Sequence, residues 1–93
     1  MTSILVVEDD PAIRQNLQRL LRLEGFSAEV AENGLEALEK LAGPLPDLVL
    51  SDVSMPGMDG HQLLVALRSQ PRTADLPFIL LTAMADRASV RQG

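Results

Sequence analysis

Asp47-Leu-Val-Leu-Ser-Asp52-Val-Ser-Met-Pro-Gly-Met-Asp-Gly60 is the stretch on which the reading of this chain turns. Its opening is apolar and branched, too short for a helix and suited to a buried strand. Asp52 ends the apolar run, and Pro56, Gly57, Asp59 and Gly60 then crowd into five positions as loop punctuation. An acid at the carboxyl end of a buried strand, followed by a tight loop, stands where open α/β sheets carry their chemistry. Asp52 is therefore the candidate working residue.

Working outward, the N-terminal side repeats the pattern. Ser3–Val7 is an unbroken apolar run suited to a central parallel strand, and Glu8, Asp9 and Asp10 follow at once. Asp10-Pro11 is an N-cap with proline at the first helical position, opening a helix to about Glu24. Its expected apolar stripe is Ile13, Leu17, Leu20, Leu21 and Leu23. Gly25 supplies a left-handed stop, and Phe26 is placed to pack back on the helix. Ser27–Ala31, more polar, predicts an edge strand. Asn33-Gly34 opens a second helix with Leu35, Leu38, Leu41 and Ala42 at helical spacing, ended by Gly43-Pro44 and Pro46. Beyond the Asp52 loop, Gly60–Arg68 predicts a third helix with Leu63, Leu64 and Leu67 inward. Asp59-Gly60 reads as its turn and cap, and Met55 and Met58 as packing for the loop. Phe78–Leu81 is the fourth apolar strand, closed by Thr82 and Ala83, and Asp86–Gln92 the start of a fourth helix. Strands alternating with helices throughout predict a parallel sheet covered on both faces.

Composition narrows the function. Ninety-three residues make one domain at most, and 46% apolar with 23% charged residues describes a soluble globular chain. A net charge of −5 argues against a nucleic-acid surface in this segment. Without cysteine there is no disulfide framework, thiolate nucleophile or usual zinc site. No signal peptide or membrane span is present, which makes the cytoplasm the expected compartment. At the carboxyl ends of the strands stand Glu8, Asp9, Asp52 and Thr82. Converging carboxylates repel one another and need a positive balance. Oxygen-only ligands point to a hard cation such as Mg²⁺. A carboxylate beside Mg²⁺ can act as nucleophile and carry an aspartyl phosphate, with the Thr82 hydroxyl bonding the arriving phosphoryl oxygens.

Three segments together, Ile4-Leu-Val-Val-Glu-Asp-Asp-Pro11, Asp52 to Gly60, and Pro77-Phe-Ile-Leu-Leu-Thr-Ala83, resemble the receiver domain of two-component response regulators over residues 4–93. The resemblance implies a flavodoxin-like, doubly wound parallel sheet, ordered 2-1-3-4 here with the fifth strand and helix missing. It implies that Asp52 accepts a phosphoryl group from a sensor histidine kinase or phosphotransfer domain. By the same resemblance Asp9 binds Mg²⁺ directly, Glu8 through water, and the backbone carbonyl of Ser54 is a further ligand. Thr82 becomes the switch hydroxyl. The role is a signalling phosphoacceptor rather than an enzyme, with at most phosphorylation from small donors and slow dephosphorylation.

The chain also departs from the family pattern. The family's lysine lies on a fifth strand past Gly93, and the sole lysine here, Lys40, is on the second helix. Arg87 and Arg91 are not equivalent to it, a guanidinium not being an ammonium. The sequence thus reads as a receiver domain cut inside its fourth helix. Its fourth strand becomes an apolar edge open to a second copy of the chain. Two other readings compete. A binding or dimerisation fragment that no longer accepts phosphate would keep the acids and Mg²⁺ alone. A phosphatase with an aspartate nucleophile would want an acid two residues after it, where this chain has Ser54. His61 is read as a solvated helix-start residue.

Overall fold

The computed structural model describes residues 1–53, Met55 and 57–81. Ser54, Thr82 and the expected fourth helix lie outside the described residues. Within them the order is β1 (Ser3–Val7), α1 (Pro11–Leu23), β2 (Ser27–Ala31), α2 (Gly34–Leu41), β3 (Leu48–Asp52), α3 (Gly60–Arg68) and β4 (Phe78–Leu81). All pairings are parallel, in the order β2-β1-β3-β4, a flavodoxin-like α/β arrangement with β2 at an edge.

Local chemistry sets the boundaries. Asp10 accepts from the amides of Ala12 and Ile13 at 2.9 and 3.2 Å, and Pro11 takes the first helical position, where no N–H is missed. At the other end of α1, Gly25 adopts φ 93°. Its N–H bonds the Arg22 carbonyl while Phe26 N–H bonds that of Leu21, both at 3.0 Å, the paired closure of a Schellman motif. Asn33 caps α2 through Glu36 N–H. Asp59 and Gln62 form a reciprocal capping box at α3, bonding each other's backbone N–H at 2.8 and 2.9 Å.

The main core cluster lies on one side of the sheet, and Ile4, Val6 and Ala28 are buried on the other. Leu5, Val7 and Val49 face Ala37 and Leu41 of α2 and Leu63 and Leu67 of α3, with Met55 joining from the loop. Burying a leucine such as Leu63 or Leu67 contributes about 1.5–3 kcal/mol.

Two expectations need correction. The stripe on α1 does not become buried core: no residue of that helix is buried, and Leu20 and Leu23 are 57% and 75% exposed. Only one described helix packs on β1 and β2 from that side, so its flanks meet no other described helix. On α2, Leu35 points to solvent while Ala37, not singled out by leucine spacing, is buried with Leu41. Asp52 is the last residue of β3, its backbone paired with Leu81, the strand-end position expected of an acid that closes an apolar run. A terminal strand residue keeps its ladder bonds whatever its side chain.

Candidate functional site

Sheet register builds the site. Val7 is the partner of Ser51 in the β1–β3 ladder, so the chain continuing from each, into Glu8 and Asp52, emerges side by side. Glu8, Asp9 and Asp52 each offer a carboxylate oxygen, and the three lie within 4.8 Å of one another. Glu8 is buried, Asp52 half-buried and Asp9 exposed. Thus the three acids line up from interior to solvent across the ends of two strands.

Two of the three carboxylates, those of Glu8 and Asp52, are held by backbone. Asp10 N–H donates to Glu8 Oε2 at 3.1 Å, while Glu8 N–H donates to the Ala31 carbonyl of β2 at 3.0 Å. Asp52 Oδ1 accepts from Val53 N–H at 2.9 Å. The Asp52 carbonyl takes a 2.9 Å bond from Ser51 Oγ, which satisfies a fully buried hydroxyl. Gly60 closes the loop, its N–H bonding the Val53 carbonyl at 2.9 Å. A methyl group at residue 60 would collide with the Asp52 carbonyl oxygen and come within 2.7 Å of Leu80 Cδ2. The loop turns back this tightly because residue 60 has no side chain.

The electrostatics are those of crowded acids. Burial, first, pushes the Glu8 carboxyl up to about 7. A hydrogen bond with Asp9 and the negative charges of Asp52 and Asp9 add to the shift, and the Asp10 N–H acts against it. Such a group is held closer to neutral than an ordinary carboxylate. Oxygen donors of graded exposure suit Mg²⁺, which keeps several waters and takes few protein carboxylates. Glu8, Asp9 and Asp52 fit that ion by the chemistry of the donor set.

Of the sequence candidates, Glu8, Asp9 and Asp52 are brought together. Lys40 donates to the Val30 carbonyl and lines a cavity of about 200 Å³ with Ser3, Ser27 and Pro44. Ser3 and Ser27 stand at the amino ends of β1 and β2, while Val30 is one residue short of the carboxyl end of β2. His61 is exposed, as expected for a helix-start residue. Met55 is buried in the core and Met58 packs against it.

Sequence reasoning missed one residue. Arg14 lies one turn into α1, and its guanidinium donates from Nη1 to the carbonyls of Glu8 at 3.0 Å and Asp9 at 3.4 Å. The available signal was an arginine four residues after the acidic run, on the turn that follows it.

A family model described as the response regulator receiver domain matches residues 4–93. The chain belongs to that family. Among curated receiver-containing proteins it is similar to the response regulator MprA of Mycobacterium sp. (strain KMS), 48% identical over 80 residues. That match takes in 86% of this chain and 34% of the relative, so the chain spans about a third of the length of the curated relatives it matches. Among solved structures it resembles the N-terminal domain of a response regulator receiver protein from Methanoculleus marisnigri. There the TM-score is 0.86 and the identity 40%, over 89% of this chain and 68% of that one. It also resembles the signal receiver domain of a signal transduction histidine kinase from Syntrophus aciditrophicus. That likeness has a TM-score of 0.85 and 38% identity, over 100% of this chain and 74% of the other. Receiver domains are modules of two-component signalling. No helix among the described residues is long and apolar enough to cross a membrane.

Proposed function

We propose that this receiver domain is a phosphoacceptor switch in which Asp52 takes a phosphoryl group from a phosphohistidine of a sensor histidine kinase or phosphotransfer domain. The observation that carries the reading is the convergence of Glu8, Asp9 and Asp52 within 4.8 Å at the carboxyl ends of β1 and β3. Glu8, Asp9, Asp52 and, by the family pattern, the Ser54 carbonyl would hold Mg²⁺. When bound, the ion neutralises phosphoryl oxygens that the carboxylates alone would repel.

The chain's own part is positioning. Asp52 is half-buried at a strand end, with Oδ1 engaged by Val53 N–H, which leaves the other oxygen to attack phosphorus. As the new P–O bond forms, the P–N bond to the donor imidazole breaks. The imidazole keeps the electron pair and takes up a proton from solvent. The donor supplies the reactive bond, so the chain acts as acceptor rather than enzyme, and its setting is that of its kinase, the cytoplasm. Thr82, by the same family pattern, is the hydroxyl that would move onto the phosphoryl group.

Intact-mass spectrometry after incubation with Mg²⁺ and an acyl phosphate tests this, with Asp52→Asn alongside. One added phosphoryl group, absent from the variant, is the expected result. An adduct of equal yield in Asp52→Asn would overturn the assignment. No adduct on the wild-type chain, with Mg²⁺ binding intact, would favour a receiver domain that binds the ion without accepting phosphate.

A further inference from the structure

Arg14 stands out among the charged residues of α1 because its side chain is only 13% exposed. A guanidinium withdrawn from water must have its donors satisfied, and here the acceptors are main-chain oxygens of the acidic turn. Nη1 reaches the Glu8 carbonyl at 3.0 Å and the Asp9 carbonyl at 3.4 Å, and Nη2 lies 3.6 Å from the Glu32 carboxylate just past β2. One planar fork therefore ties the turn between β1 and α1 to the end of β2. Glu8 is held from the other side as well, by its own N–H on the Ala31 carbonyl. The two carbonyls that Arg14 holds flank the Asp9 α-carbon and belong to Glu8 and Asp9, the residues whose side chains converge on Asp52.

We propose that Arg14 is a positioning residue of the cation site, fixing the backbone of Glu8 and Asp9 so that their carboxylates meet Asp52 in one geometry. The inference rests on the cation site proposed above. Its force comes from the direction of the bonds: Arg14 engages carbonyl oxygens and leaves the carboxylates for the ion. Its positive charge beside the turn also offsets part of the repulsion among the three acids. A lysine keeps the charge but loses the two-pronged reach, so the two contributions are separable.

The test is a Mg²⁺ titration followed by backbone amide chemical shifts, on wild type, Arg14→Gln, Arg14→Lys and Glu32→Gln. Outer-shell groups that orient ligands carry about tenfold or more in metal affinity, so Arg14→Gln is expected to raise the Mg²⁺ dissociation constant about tenfold. Arg14→Lys should fall between it and wild type. In Arg14→Gln the phosphorylation rate should return towards the wild-type value once Mg²⁺ is saturating, a split that loss of stability alone would not produce. Without metal, Asp10 N–H, which bonds the Glu8 carboxylate, should exchange faster. Should Arg14→Gln fail to fold, Arg14→Lys and Glu32→Gln decide, because both leave a charge or an anchor in place. Wild-type affinity in every folded variant would overturn the role of Arg14 alone. A wild-type chain whose amides do not respond to Mg²⁺ would overturn the cation site and this inference with it.

Discussion

Where α2 and α3 cover the sheet, Leu5, Val7, Val49, Leu63 and Leu67 are all between 0 and 3% exposed; where α1 covers it, no residue of the helix is buried. Burial on the α1 side also fades across the sheet. Neighbouring residues Val6, Leu50 and Ile79 run from 0% exposed through half-buried to 49%. What α1 lacks in apolar contact it makes up in directed bonds to strand-end carbonyls. Arg14 reaches Glu8 and Asp9, Gln18 reaches Ala28 at 3.0 Å, and Arg22 reaches Ala28 at 3.2 Å. One face is held by excluded water, the other by the buried Ile4, Val6 and Ala28 together with a few oriented donors. Of these bonds, those of Arg14 sit next to the acids, where orientation matters more than area.

The sharpest test of this contrast is a matched pair. Leu63→Ala, at a fully buried position, should lower unfolding free energy by about 2–5 kcal/mol, whereas Leu20→Ala on α1 should change it by only about 0.5 kcal/mol. Urea titrations of both variants measure it, and comparable losses would show that α1 contributes as much core as the opposite side.

Next in size is a pH effect at the seam between the faces. Glu8, raised to about 7 in the folded chain against 4.5 unfolded, binds its proton more tightly when folded. Its contribution to metal-free stability is therefore complete below pH 4.5 and lost as pH rises through 7. Mg²⁺ needs the carboxylate, so ion uptake displaces that proton, and affinity should fall about tenfold between pH 8 and pH 6. Titrations at the two values, with Glu8→Gln flattening the stability profile, check both halves.

The smallest expected effect is self-association. β4 pairs only with β3 among the described strands, and Ile79 at 49% exposure is its most open residue. Light scattering at high concentration should give a mass above the 10.1 kDa of one chain, returning to it in Ile79→Lys. A wild-type mass that stays at one chain would mean the thin face is sufficient for a monomer.

How far the sequence could be read follows the same division. β1, β2, α3 and β4 lie where runs and breakers put them, because strand runs, a capping aspartate and proline at the first helical turn are local signals. Glu8, Asp9 and Asp52 were legible because each follows an apolar run, and parallel register brings such positions together. The exposure of Leu20 was not legible: helical spacing says which residues share a stripe, not whether anything covers it. Arg14 was also invisible, since its partners are main-chain oxygens five and six residues back, and main-chain oxygens leave no mark in a sequence.

At Gly60 a bare α-carbon sits between the Asp52 carbonyl oxygen and the Leu80 side chain with no room for even a methyl group. In mechanical terms this is a bearing with zero clearance. Any displacement of the main chain at Asp52 has no gap to disappear into, because packed interiors compress very little. It must be handed on, to the start of α3 on one side and to β4 on the other. The smallest residue in the chain thus removes the play between the site where a signal would arrive and the strand that would carry it outward.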